Sequence, residues 1–281
     1  MAFQLNPDSY GDAGNGQACA MACDLAYIRD PAEGAKAYQE NFGMDARLVS
    51  VNNTQAYVAA NAQNILVAFR GSEAPTSIDG LKDWLLTNAV NLLIVPEGQI
   101  GTDFIAAGVG ARFHKGFMGA LADVWDTLFA ATDAEMKKAE RPLWVTGHSL
   151  GGALAQLAAW RFNRRFLQVH QVYTYGAPMV GNKAAKDAFD KEFEGRLFRY
   201  VNLTDIVPKL PTVSLIANEY LHCEKEMPLG GGGSSAADCM AGFAGKVGDG
   251  LLKASIIDEI WGAVNARLAA HDIANYRKLI S

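Results

Sequence analysis

Cysteine is scarce in this chain, with four residues among 281. A structural zinc site needs close ligand pairs on two arms. Cys19 and Cys23 make one such pair, but Cys223 and Cys239 stand far apart around a glycine-rich stretch, so no metal site is expected. Those two later cysteines bracket a loop that a disulfide would close in an oxidising compartment, and a bridge between them is the expectation. Positive charge is not in excess either: 25 Lys and Arg face 30 Asp and Glu, for a net charge of -5. That balance argues against a nucleic-acid groove, which needs clustered cations. Long apolar runs are missing. The nearest, residues 89–95, contains Asn91 and falls short of the roughly 20 residues of a membrane span, so no transmembrane segment is read. The start lacks a basic leader, since the first arginine is Arg29 and the first lysine Lys36. No signal peptide is read there, which leaves a cytoplasmic protein or a mature secreted one.

What the chain does have is ample core-forming material. Half of its residues are hydrophobic and 20% are charged, enough to bury a large core in one domain spanning residues 1–281. Residues 46–70 read as three extended segments separated by asparagine-rich turns, a β-meander. From Phe117 the period changes. Phe117, Leu121, Val124, Trp125, Leu128 and Phe129 share one helical face, in a helix ending near Lys137 and Lys138. The strand LWVTG follows, then a helix over 150–162, the strand VHQVYTYG, a helix over 183–194 with Asn182 as N-cap and Gly195 as its stop, and the strand LFRYVNL. Such alternation predicts parallel strands joined by crossover helices. Residues 256–280 read as helical at both ends. The tract GGGGSS at 230–235 is too short to separate domains and reads as a flexible loop.

The chemistry concentrates at Gly147-His148-Ser149-Leu150-Gly151, a G-x-S-x-G pentapeptide set between a strand and a helix. That context is what a nucleophile elbow requires. The turn is too tight for side chains two positions either side of the serine, and the following helix aims its N–H groups where an oxyanion would form. A serine hydroxyl needs a base, and the base an orienting acid, in the chain order serine, acid, histidine. His170 opens a strand, at the wrong end for such a site, and His222 follows too closely on the preceding loop, so His271 stands out. Asp205 stands out as the acid because it directly follows the strand LFRYVNL. Asp187 and Asp190 read as solvated positions of an amphipathic helix, and Asp238, Asp249 and Asp258 have no preceding strand.

Several motifs occur together and in order: VAFRGS at 67–72, DW at 83–84, FHKGF at 113–117, VTGHSLGGALAQL at 145–157, TYGAPMVGN at 174–182 and VNLTDIVPKLP at 201–211. With them, the stretch from about 65 to 281 resembles the class 3, fungal-type triacylglycerol lipases. The resemblance implies an α/β-hydrolase fold, a mostly parallel central sheet flanked by helices, with a short lid helix. It implies a serine hydrolase that cleaves carboxylic esters of lipids at an oil–water interface through Ser149, Asp205 and His271, with no cofactor or metal. It also implies that the backbone N–H groups of Ser72 and Leu150 form the oxyanion hole, and that His271 and Tyr276 match the family's ending. His114, in FHKGF, is read as a buried structural histidine. The insert at 223–255 and the first 45 residues depart from the pattern, and nothing is carried over to them.

Residues 73–88 are expected to form the lid. Ile78, Leu81, Trp84 and Leu85 make one apolar stripe and Asp79, Lys82 and Asp83 lie opposite, although a fixed surface helix would show the same pattern. Two rivals remain: a phospholipase or feruloyl-type esterase on the same fold, and an inactive hydrolase domain used for binding. The second would be expected to lack a triad member or an elbow glycine, and this chain has them all.

Overall fold

A computed structural model describes residues 2–72, 93–210, 220–231, 262–263 and 265–280. The proposed lid with Trp84, and Cys239 of the proposed bridge, lie outside the described residues. Within the first 45 residues, where the sequence offered no motif, lie two helices, α1 (Ala13–Leu25) and α2 (Pro31–Phe42). Asp12 and Asp30 cap them, the second with Pro31 in its first turn and Gly43 closing it at φ 61°. The expected meander follows as β1 (Asp45–Val51), β2 (Thr54–Ala60) and β3 (Ile65–Phe69), paired antiparallel. Next come β4 (Leu93–Ile94), α3 (Gly98–Ile105), β5 (Phe113–His114) and α4 (Lys115–Lys138). The alternating part is β6 (Leu143–His148), α5 (Leu150–Arg164), β7 (Val169–Tyr175), β8 (Gly181–Asn182), α6 (Lys183–Glu192) and β9 (Leu197–Asn202). Then β10 (Tyr220–Leu221), β11 (Lys225–Leu229), α7 (Leu268–His271) and α8 (Ile273–Leu279) complete the described chain.

The main sheet runs β1-β2-β3-β6-β7-β9-β11 and is parallel from β3 onward. Every residue of β2, β3, β6 and β9 is buried, because helices cover both faces. On one face α3, α4, α5 and α6 close a core around Phe117, Leu121, Leu128, Leu157 and Phe162. On the other, α1, α2 and α8 close a core around Tyr38, Tyr57, Trp144, Tyr173 and Tyr276. A second, small antiparallel sheet runs β10-β8-β5-β4.

Two sequence expectations change here, and one stretch left open takes shape. The helix expected to reach Glu194 ends at Glu192 with Phe193 as its cap; Asn182 does cap its start, accepting from the Ala185 N–H at 3.1 Å. In the insert after His222, to which nothing was carried over, β11 adds an edge strand beside β9. Pro228 is tolerated within it because the outer edge needs no donor. Cys223 is a free thiol rather than half of a bridge. It is buried in the core, its Sγ donates to Gln156 Oε1 at 3.0 Å, and burial raises its pKa to about 12. Cys19 and Cys23 are also free and buried, with Cys23 Sγ 3.2 Å from Thr146 Oγ1.

Candidate active site

The site is built at the carboxyl ends of the parallel strands. Strand β6 runs straight into α5, and Ser149 stands at the corner with φ 57° and ψ -130°, a conformation few non-glycine residues adopt. The corner is tight on both sides. A Cβ on Gly147 would lie 2.0 Å from Gly151 O, and one on Gly151 would lie 2.4 Å from Phe69 O. The Ser149 N–H donates to Tyr175 O at 2.9 Å, tying the corner to β7.

His271 closes α7, and Asp272 then caps α8 by accepting from the Ala274 N–H at 2.9 Å. This break turns the imidazole toward the serine. His271 Nδ1 lies 2.7 Å from Asp205 Oδ2, and His271 Nε2 lies 2.8 Å from Ser149 Oγ. A carboxylate can only accept, so Nδ1 carries the ring proton and Nε2 is free to accept the serine proton. All three side chains are buried, Asp205 at 1%, Ser149 at 3% and His271 at 3% exposure.

Asp205 follows β9 as the sequence reading required. Its Oδ1 accepts from the Val207 N–H at 2.9 Å, and its Oδ2 accepts from Tyr276 Oη at 2.7 Å. Burial, and then the Asp205 charge, raise the Tyr276 pKa well above its ordinary value, so the hydroxyl stays a donor. Gly176 is required twice. Its φ is +58°, and a Cβ there would stand 2.9 Å from Asp205 Oδ2 and 3.0 Å from His271 Nδ1.

The end of β3 passes beside Ser149: a Cβ on Gly71 would lie 3.2 Å from Ser149 Cβ. Ser72 follows it and is half-buried, and Leu150 is the buried first residue of α5. The other candidates lie elsewhere. Asp187 is ion-paired to Lys183 at 2.5 Å on the exposed face of α6, and Asp190, half-buried, pairs with Lys186 and accepts from the Glu224 N–H at 2.6 Å. His170 Nε2 bonds Pro7 O at 2.9 Å, and His222 Nε2 bonds Pro208 O at 2.5 Å. His114 is buried and caps α4, accepting from the Phe117 N–H at 3.3 Å.

Sequence reasoning passed over His148 and Tyr27. His148 Nε2 lies 2.6 Å from the backbone oxygen of His271, and its Nδ1 lies 2.8 Å from Tyr27 Oη. The first was in view inside the pentapeptide. Tyr27 lies in the stretch that no motif covers. Burial, and then the neighbouring His271, hold the His148 pKa well below its ordinary value.

Residues 66–215 match the family described as Lipase (class 3). The chain belongs to the class 3 lipase family. A secreted mono- and diacylglycerol lipase 1 of Fusarium solani is 35% identical to it over 182 residues, 63% of this chain and 48% of that protein. A secreted mono- and diacylglycerol lipase 3 of Gibberella zeae is 29% identical over 167 residues, 58% of this chain and 49% of that protein. This class 3 lipase chain thus spans about half the length of these curated relatives. Among solved structures, a triacylglycerol lipase whose catalytic centre is formed by a serine protease triad gives a TM-score of 0.57 at 25% identity. The likeness covers 76% of this chain and 78% of that one. The fold is the α/β-hydrolase fold, as in that lipase. Among the described residues of this family member, no group of three or more His, Cys, Asp or Glu could hold a metal ion. No described helix is long and apolar enough to cross a membrane.

Proposed function

We propose that this class 3 lipase hydrolyses carboxylic esters of lipids, glycerides first, through Ser149, His271 and Asp205. The observation that carries this reading is the continuous hydrogen-bonded chain from Ser149 Oγ through His271 to Asp205, starting at a strained elbow. Ser149 Oγ attacks the ester carbonyl carbon while His271 Nε2 takes its proton. The carbonyl oxygen becomes an oxyanion, which the N–H groups of Leu150 and Ser72 receive. The tetrahedral intermediate collapses, and the alcohol leaves with the proton from His271, giving an acyl-serine. Water then attacks that acyl-enzyme by the same route, releasing the fatty acid and restoring the serine. Asp205 holds the imidazole in the tautomer that accepts from serine and stabilises the imidazolium that forms.

The whole chain acts in this reading as one domain, since both apolar cores lie against the same sheet. The names of the two fungal relatives support partial glycerides as substrates and an extracellular place of action. The substrate is met at an oil–water interface.

The test compares p-nitrophenyl esters from acetate to palmitate with emulsified triglyceride, diglyceride and phospholipid. Hydrolysis of glycerides that Ser149→Ala abolishes is the expected outcome. Cleavage of phospholipid alone would move the enzyme to the phospholipases, and ester cleavage that survives Ser149→Ala would overturn the mechanism.

A further inference from the structure

We propose that Tyr27 is a positioning residue for the reaction, setting the place of His271 through the side chain of His148. The inference rests on the reading of Ser149 and His271 above. The backbone oxygen of His271 can only accept, so His148 Nε2, 2.6 Å away, must carry a proton. A neutral imidazole has one N–H, which leaves His148 Nδ1 with a lone pair. The group facing that lone pair is Tyr27 Oη at 2.8 Å, so the tyrosine O–H is the donor. By donating to that lone pair Tyr27 supports the tautomer of His148 in which His271 is held rather than repelled.

In the opposite tautomer two acceptors, His148 Nε2 and the His271 oxygen, would face each other at hydrogen-bonding distance. His271 would then shift, and with it the Nε2 that must meet Ser149 Oγ. Tyr27 also reaches the other side of the site. A Cβ on Gly71 would lie 2.3 Å from its oxygen. Gly71 directly precedes Ser72, the residue assigned to the oxyanion hole. The hydroxyl thus stands between the end of β3 and the side chain of His148, which in turn bonds the His271 backbone. Burial raises the Tyr27 pKa, so the hydroxyl keeps its proton. The rings of His148 and His271 lie 4.7 Å apart between centroids, close enough for the position of one to determine that of the other.

The test is Tyr27→Phe, which removes the hydroxyl and keeps the ring. Competent sites are counted by titration with a p-nitrophenyl phosphonate that labels the active serine. Per titrated site, kcat on a short soluble ester should fall about tenfold with KM within about twofold of wild type. The His271 Nδ1 proton, read by NMR without any substrate, should shift between wild type and variant. On a His148→Phe background, adding Tyr27→Phe should cost no further kcat, because the group it acts through has gone. Wild-type kcat per site and an unmoved proton resonance in Tyr27→Phe would overturn the proposal. So would a full additional loss on the His148→Phe background, or a deficit lying wholly in the number of titratable sites. Ester cleavage surviving Ser149→Ala would instead sink the functional reading, and the NMR arm would still decide the role of Tyr27.

Discussion

Tyr276 Oη and His271 Nδ1 converge on the same carboxylate oxygen, Asp205 Oδ2, each at 2.7 Å. The second oxygen of Asp205 takes the Val207 N–H at 2.9 Å, so each oxygen of this buried carboxylate has a donor. The two donors to Oδ2 have unequal importance. Loss of Tyr276 Oη leaves the imidazole contact and the Val207 bond in place, whereas an amide at 205 can present N–H where the imidazole also presents one. Asp205→Asn should therefore lower kcat by about 10⁴-fold, as expected when the wrong histidine tautomer is favoured. Tyr276→Phe removes the bond to Asp205 and the one that Tyr276 Oη accepts from the Asn202 N–H at 3.2 Å, and should cost about tenfold, well short of Asp205→Asn. Asp187→Asn, on the exposed face of α6, should leave kcat unchanged. Steady-state kinetics on one soluble ester ranks the three, and equal losses in Asp205→Asn and Asp187→Asn would sink the assignment.

Ser149 pays for its position in backbone strain, with φ 57°. Such a conformation costs of order 1–3 kcal/mol in a residue with a Cβ and little in glycine. Ser149→Gly and Ser149→Ala should both be inactive, yet the glycine variant should be the more stable by about 1 kcal/mol after its extra chain entropy is counted. Thermal unfolding of the two variants gives the comparison. An alanine variant as stable as the glycine one would show that the elbow holds no strain.

The part of the fold legible in the sequence is the part with strong periodicity or forced chemistry. Strands β1, β2 and β3 announced themselves through asparagine turns, and Asn52 sits at φ 51° in the first of them. The run from α4 to β9 was legible because apolar spacing switches between the two periods with capping residues such as Asn182 at the joins. Ser149, Asp205 and His271 could be singled out because each follows or ends a recognisable element. The N-terminal helices were not legible, since α1 is rich in alanine and glycine and carries little amphipathic contrast; it is buried along most of its length against the sheet and α8. Strand β11, carrying Pro228, reads against strand propensity and exists because β9 offers an open edge. Tyr27 and Gly176 gain their roles from tertiary contacts across the site, which leave no local pattern.

The glycines of the elbow and a glycine of α4 should respond oppositely to alanine. A Cβ on Gly147 would meet Gly151 O at 2.0 Å, and the neighbour is backbone that cannot step aside. Gly147→Ala should unfold the corner, with loss of activity and of several kcal/mol, in the range known for severe strain and overpacking. Gly119 sits inside α4, exposed, with nothing within 4 Å of its would-be Cβ. Gly119→Ala should stabilise by about 0.5–1 kcal/mol with unchanged kcat. Urea unfolding with parallel activity assays separates the outcomes, and a destabilised Gly119→Ala would contradict the packing described for α4.

Acid should weaken this fold through His148. Its pKa in the folded chain lies well below the ordinary value of 6.5, because burial and His271 oppose a charge there. Below pH 6.5 the unfolded chain takes a proton at this ring that the folded chain refuses. Stability attributable to His148 is therefore whole above that pH and falls as the pH drops toward the depressed value. The slope from one such histidine is at most about 1.4 kcal/mol per pH unit. His222 is shifted in the same direction, by burial and then by Arg199, and adds a background common to wild type and variant. Urea unfolding of wild type and His148→Gln at pH 7.5 and pH 5.5 isolates the effect. The variant lacks the titrating ring and should lose less stability between the two, by about 1 kcal/mol or more. Equal losses in both proteins would mean that His148 keeps an ordinary affinity for protons in the folded state.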